Sequence, residues 1–173
     1  MTTSDTARED ARPVTAEAFR RAVGRFATGV CVVTALDGGI DHAMTANAFT
    51  SVSLDPLLVL VCVETDARFH DAIVEAGEWA VSILDATARP VADWLATRGR
   101  PLHGQLDRIP VRRGVTGAAL LAQSTAWLEC RTHAVHPGGD HVIVVGEVVA
   151  VALGDETAGA LLYHRSAYGT LGR

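Results

Sequence analysis

The stretch His42–Glu64, HAMTANAFTSVSLDPLLVLVCVE, holds the clearest punctuation and the strongest apolar run of the chain. Met44 to Phe49 is small and polar, and Ser51, Val52 and Ser53 alternate with period two. Asp55-Pro56 then makes a turn before the run Leu57–Val63. That run is too short to span a membrane. Unbroken and β-branched, it reads as a strand buried on both faces, at a sheet interior or against a second subunit.

The polar half bears on chemistry. Thr45, Asn47, Thr50, Ser51 and Ser53 set amide and hydroxyl groups among small residues that let a ligand approach the backbone. No acid, base or nucleophile stands among them. Such a surface suits a planar, heteroatom-rich ligand with phosphate oxygens; it equally suits an ordinary polar strand end and turn.

Working outward, Pro13 and Thr15 precede apolar residues at helical spacing, Ala18, Phe19, Ala22, Val23 and Phe26, which predicts a helix over 16–26 packed on a sheet. Thr28-Gly29 is expected to end it. A strand over 30–35 then leads through Asp37-Gly38-Gly39 into the His42 stretch as a hairpin. Beyond the apolar run, Thr65-Asp66 is placed to cap a short helix that turns Phe69, Ile73 and Ala76 inward and stops at Gly77. A strand over 79–84 and a helix over 87–96 follow. Residues 98–117 carry Gly99, Pro101, Gly104, Pro110, Gly114 and Gly117 and read as one long loop. Two long strands, 125–135 and 141–153, are joined by Pro137-Gly138-Gly139-Asp140 as a hairpin turn. Many strands without regular strand-helix-strand alternation indicate a mainly β barrel with short peripheral helices.

Composition bounds the rest. At 173 residues the chain fits one domain, residues 15–173, behind a mobile tail, residues 1–14, and buries about 70% of its unfolded surface. A net charge of −5 offers no electrostatic reason to expect nucleic acid or an anionic membrane as partner. Cys31, Cys62 and Cys130 are odd in number and widely spaced, as buried thiols in a reducing compartment are. The polar N-terminus lacks the apolar core of a secretory signal, so a cytoplasmic protein is expected.

Gly24 and Gly29 superficially suggest a phosphate loop, but neither Gly-Lys-Ser/Thr nor G-x-G-x-x-G is present. Cys130, His133, His136 and His141 have no metal-site spacing, because positions three apart on a strand project to opposite faces. The arginines of the long loop, Arg98, Arg100, Arg108, Arg112 and Arg113, fit either a phosphate-bearing substrate or a solvated surface.

Four ordered motifs, FRRAVGRFATGVCVV (19–33), MTANAFTSVSLDPLLVL (44–60), AWLEC (126–130) and GDHVIVVGEV (139–148), resemble the short flavin reductase family. The resemblance covers about residues 19–171. It implies the split β-barrel flavin-binding fold, a homodimer, and hydride transfer from NADH or NADPH to FMN or FAD, with reduced flavin passing to a partner monooxygenase. A flavin carrier or sensor without turnover, or an oxidase that keeps its flavin, would share the same binding stretch. The resemblance further implies that Met44, Thr45, Ala46, Asn47, Ser51, Val52 and Ser53 line the flavin, and that Cys62, Ala67 and Arg68 lie near its phosphate. His141, as the catalytic residue, and Tyr168 fall on the nicotinamide side. Two departures stand out. Leu57 replaces a second proline, and Ala67-Arg68 replaces a Ser-x-Thr type pattern, which leaves the phosphate to a backbone N–H or to the Arg68 guanidinium.

Overall fold

A computed structural model describes residues 13–171; residues 1–12 of the expected tail lie outside the described residues. The first helix, α1 (Ala16–Val23), is capped by Thr15, whose hydroxyl oxygen accepts the Ala18 N–H. It ends at Gly24, short of the expected Phe26, as the bonds tighten to Arg25 N–H on the Ala22 carbonyl and Phe26 N–H on the Val23 carbonyl. Thr28-Gly29 does not terminate the helix but forms β1 (Thr28–Gly29). Nor does the helix pack its stripe on a sheet: none of its residues is buried, and Phe19 and Val23 are 60% and 52% exposed.

Strands β2 (Cys31–Asp37) and β3 (Ile40–Ala46) form the expected hairpin, turning on Gly38-Gly39 at φ 54° and 80°. A second hairpin, β4 (Phe49–Leu54) with β5 (Leu57–Glu64), turns at Asp55-Pro56 and bulges at Val52. The apolar run is buried on one face only. Val59, Val61 and Val63 point into the core, whereas Leu58, Leu60 and Cys62 remain half-buried on the other side.

Helix α2 (Arg68–Ala76) starts at Ala67 with no side-chain cap, because Thr65 is drawn away: its N–H and hydroxyl both donate to the Asp140 carbonyl. Phe69 and Ile73 are buried as expected, and Gly77 ends the helix at φ 66°. Then come β6 (Glu78–Leu84), a 3-10 turn capped by Asp85, and α3 (Arg89–Ala96). The long loop is not wholly irregular, since β7 (Val111–Arg113) pairs with β8 (Ala119–Leu121). The long strands β9 (Ser124–Gly138) and β10 (His141–Leu153) absorb Pro137 and leave a two-residue turn, Gly139-Asp140. The C-terminal pair is β11 (Leu161–His164) and β12 (Ala167–Thr170), with β1 alongside β11.

Seven strands form one antiparallel sheet in the order β3-β2-β6-β9-β10-β5-β4. Its two edges, β3 and β4, are separated in sequence by Asn47-Ala48 alone. Laid flat, six strand spacings would put those edges about 29 Å apart. Two residues reach only about 11 Å. The sheet therefore curls until its edges meet at Asn47-Ala48, where the Cys62 N–H donates to the Ala48 carbonyl. The barrel interior holds Val33, Val59, Val61, Trp79, Val81 and Val144, with Phe69 and Ile73 of α2 packed against them. A second core lies outside β2, where Ala92 and Leu95 of α3 meet Val32, Leu121 and Leu161. Among the described residues no helix is long and apolar enough to cross a membrane.

Candidate active site

Between His42–Thr45 of β3, Ala67–Phe69 at the start of α2 and the segment from Leu95 to Arg100 lies a cleft of about 410 Å³, with Glu64, Asp66 and Gln105 completing its wall. Its size is that of a small-molecule site. The fold thus brings Met44, Thr45, Ala67 and Arg68 together from two distant stretches. Ala46 ends the same strand at the barrel corner, and Asn47 follows it in the link whose Ala48 carbonyl accepts the Cys62 N–H. Ser51, Val52 and Ser53 follow on β4, past that corner. His141 opens β10 directly opposite Glu64 of the cleft wall. Tyr168 is not brought to the cleft: its ring packs on Tyr163 and under Arg89 at the N-terminal end of α3, while the cleft borders the other end.

Hydrogen bonding separates the polar side chains by role. The Thr45 hydroxyl donates to the Ala92 carbonyl at 2.8 Å and ties β3 to α3. The Asn47 amide donates to the Thr28 hydroxyl at 3.2 Å, leaving its oxygen open. Thr50 donates to the Ser51 carbonyl, and the Ser53 hydroxyl accepts the Asp55 N–H in the turn. The Ser51 hydroxyl alone of the five side chains has no protein partner among the described residues, and the residue is exposed.

The loop arginines divide in the same way. Arg113 grips Asp41 through two bonds at 2.7 and 2.9 Å, and Arg112 lies over the Trp127 ring at 4.6 Å. Arg108 is simply exposed. Arg98 and Arg100 turn to the cleft, where Arg98 is paired with Glu64 at 2.6 Å and its protonation strengthened by that bond. Among the described residues Arg100 has no carboxylate partner: it donates to the carbonyls of Ala43 and Thr97, each at 2.7 Å, and to Gln105 Oε1. Burial, then the neighbouring Arg68 charge, pull its pKa down. Arg68 in turn donates to the Arg100 carbonyl. With the uncapped start of α2 beside them, these groups make an anion-accepting end.

The chain offers little else in reactive groups here. Burial pushes the Cys31 and Cys130 thiols up to about 12, so neither supplies a thiolate. Cys130 faces the barrel core, whereas His133 and His136 are exposed on β9. The arrangement can bind and orient a planar ligand with an anionic tail. Hydride transfer suits such a site, since it needs two stacked partners and no protein nucleophile.

The profile of a family described as "Flavin reductase like domain" matches residues 23–172. The chain is 39% identical over 155 residues to an NADH-dependent FMN reductase of Streptomyces nodosus subsp. asukaensis, covering 88% of this chain and 83% of that one. It is 42% identical over 149 residues to the reductase component of the 4-hydroxyphenylacetate 3-monooxygenase of Thermus thermophilus, covering 86% and 93%. The fold matches the NADH:FAD oxidoreductase of Streptomyces globisporus C-1027, solved with NAD and FAD fragments, at a TM-score of 0.85 and 36% identity, covering 94% of this chain and 98% of that one.

Proposed function

The chain belongs to the flavin reductase-like family, and on that premise we propose that it transfers a hydride from NADH to FMN or FAD and releases the reduced flavin to a partner monooxygenase. The observation that carries this reading is the cleft itself. Its anion-accepting end, formed by the start of α2 with Arg68 and Arg100, borders His42–Thr45 of β3; past the end of that strand lie the open Asn47 amide oxygen and, on β4, the Ser51 hydroxyl. These residues fit a flavin's phosphate and ring. The bound flavin supplies the electron-accepting ring; the protein's part is to orient it and to keep one face open to the nicotinamide.

NADH consumption by the purified protein is expected only after free FMN or FAD is added. Consumption without added flavin would indicate an oxidase that retains it, and none under either condition would indicate a carrier or sensor. Ser51→Ala should weaken flavin binding by about 0.5 to 1.5 kcal/mol, the net worth of one hydrogen bond. Fluorescence quenching of flavin measures it, and unchanged binding in a folded variant would place the ring elsewhere. Met44, Ala46, Val52 and Cys62 are proposed to contribute contact along the same path. Tyr168, against Arg89 at the N-terminal end of α3, is proposed to act only by packing.

We also propose a homodimer. Phe19, Val23 and Phe26 around α1, and Leu54, Val151 and Leu153 on the outer sheet, are between 52% and 87% exposed. So many large apolar groups in the open imply a covering partner. Light scattering should give twice the chain mass at micromolar concentration; a strict monomer would refute this. The unpaired thiols agree with a reducing compartment, and we place the reaction in the cytoplasm.

A further inference from the structure

We propose that Arg100 is a positioning residue for this reaction: held by neutral carbonyls and left without a counterion, it fixes the cleft wall and directs a standing positive field at the phosphate end of the flavin. The inference rests on the flavin reductase reading above and adds a residue and a role to it.

Three observations carry it. First, the guanidinium spans the cleft's two walls, donating to Ala43 of β3 and to Thr97 past α3, while Gln105 Oε1 accepts from it at 3.3 Å. Ala43 immediately precedes the Met44–Asn47 stretch, so Arg100 sets where that strand lies against the loop. Second, its charge is not cancelled. Arg98, two residues earlier, is neutralised by Glu64, whereas every acceptor of Arg100 is an uncharged oxygen. Its Nε–H is buried and finds no acceptor among the described residues. Third, its own carbonyl accepts from Arg68, so the residue holding the wall also aims the second cation. Asp66 is the one carboxylate on the cleft wall without a bonded cation among the described residues, and it is exposed to solvent, where its charge is screened. The Arg68 charge acts unfavourably on the Arg100 guanidinium. An anionic ligand at this end of the cleft offsets that repulsion, which is why the site favours a phosphate over a neutral sugar alcohol.

The discriminating measurement compares FMN with riboflavin, which has the same ring and no phosphate. In the parent, FMN should show the lower KM. Arg100→Met should raise the FMN KM by about ten- to a hundredfold, the scale of a lost charge-assisted contact. The riboflavin KM should move by no more than about threefold, and kcat with either flavin should hold within a similar factor. Arg100→Lys, which keeps the charge but not the fork, should recover part of the FMN preference and serves if the methionine variant does not fold. Arg108→Met, which removes an exposed arginine of the same loop outside the cleft lining, should leave the FMN to riboflavin ratio where the parent has it. Equal losses for both flavins in Arg100→Met would reduce Arg100 to a wall support and overturn the proposal, as would an unchanged ratio. A parent that binds neither flavin would instead bring down the reductase reading, and this proposal with it, through a distinct signature.

Discussion

His141→Ala is expected to lower kcat/KM for NADH by about ten- to a hundredfold at saturating flavin, roughly 1.4 to 2.7 kcal/mol of lost transition-state stabilisation. Flavin affinity should stay within about twofold, because the residue stands one strand away from the cleft and outside its lining. The tip that carries His141 is rigid. Gly139 turns the chain at φ 77°, and the Asp140 carbonyl accepts both the N–H and the hydroxyl of Thr65, which fastens the hairpin to the segment between β5 and α2. The ring is oriented too: Nδ1 meets Asp140 Oδ1 at 2.7 Å, and that bond to His141 is the main cause of the lowered Asp140 pKa. Nε2 is left to meet a ligand. A neutral ring with its proton on Nδ1 offers Nε2 as an acceptor for a carboxamide N–H, and a protonated ring offers a donor to developing negative charge. We propose that either contact serves the nicotinamide or the transition state. Asp140→Asn should therefore cost less than His141→Ala, since it loosens the ring without removing it. Unaltered NADH kinetics in His141→Ala would make the residue an ordinary hairpin end, and lost flavin binding in a folded variant would move it to the other side of the ring.

How much of this was legible depends on the range of the interaction. Hairpins at Gly38-Gly39 and Gly139-Asp140 are local, and residue type alone marks them. The curl that joins β3 to β4 is not local, because it appears only when seven strands are ordered and the short link Asn47-Ala48 is measured against them. Burial of β5 on one face instead of two has the same origin: a β-branched run without polar interruption cannot say whether its second face meets this chain or another. In the site, Met44, Thr45, Ala67 and Arg68 line one cleft, though two distant stretches supply them. The uses of Thr45 and Asn47 were hidden, since their partners Ala92 and Thr28 lie 47 and 19 residues away. Arg100 stood in an arginine-rich loop whose members look alike in sequence. Which of them turns inward is decided by carbonyls at Ala43 and Thr97, and a carbonyl has no letter in the sequence.

Gly146→Ala is expected to destabilise the fold by about 1 to 3 kcal/mol, with Tm falling by roughly 2 to 4 °C per kcal/mol. In a strand interior the exchange ordinarily helps, because alanine has less backbone entropy to lose. Space reverses the sign here. A Cβ on Gly146 would stand 2.3 Å from Trp79 Cζ2 and 3.0 Å from the Cys130 Cβ. The indole cannot swing aside: Trp79 is fully buried in the barrel, and its Nε1 donates to the hydroxyl of Thr132, the residue paired with Gly146 across β9 and β10. Ring and glycine are thus two halves of one packing solution, and Trp79→Ala alone should cost about 3 to 5 kcal/mol through the cavity it leaves. Their dependence is measurable. In a Trp79→Leu background the added methyl of Gly146→Ala meets a smaller neighbour, so the two changes should be less than additive by about 1 to 3 kcal/mol in a denaturation cycle. Additive costs would show that the methyl is accommodated by backbone movement and not resisted by the ring. The same cycle bears on function, because Gly146 sits in the strand that His141 opens. A backbone shift at Gly146 would be transmitted along β10 and lower kcat/KM for NADH in variants that remain folded, whereas resistance at the ring would lower stability and leave the kinetics of the folded fraction intact.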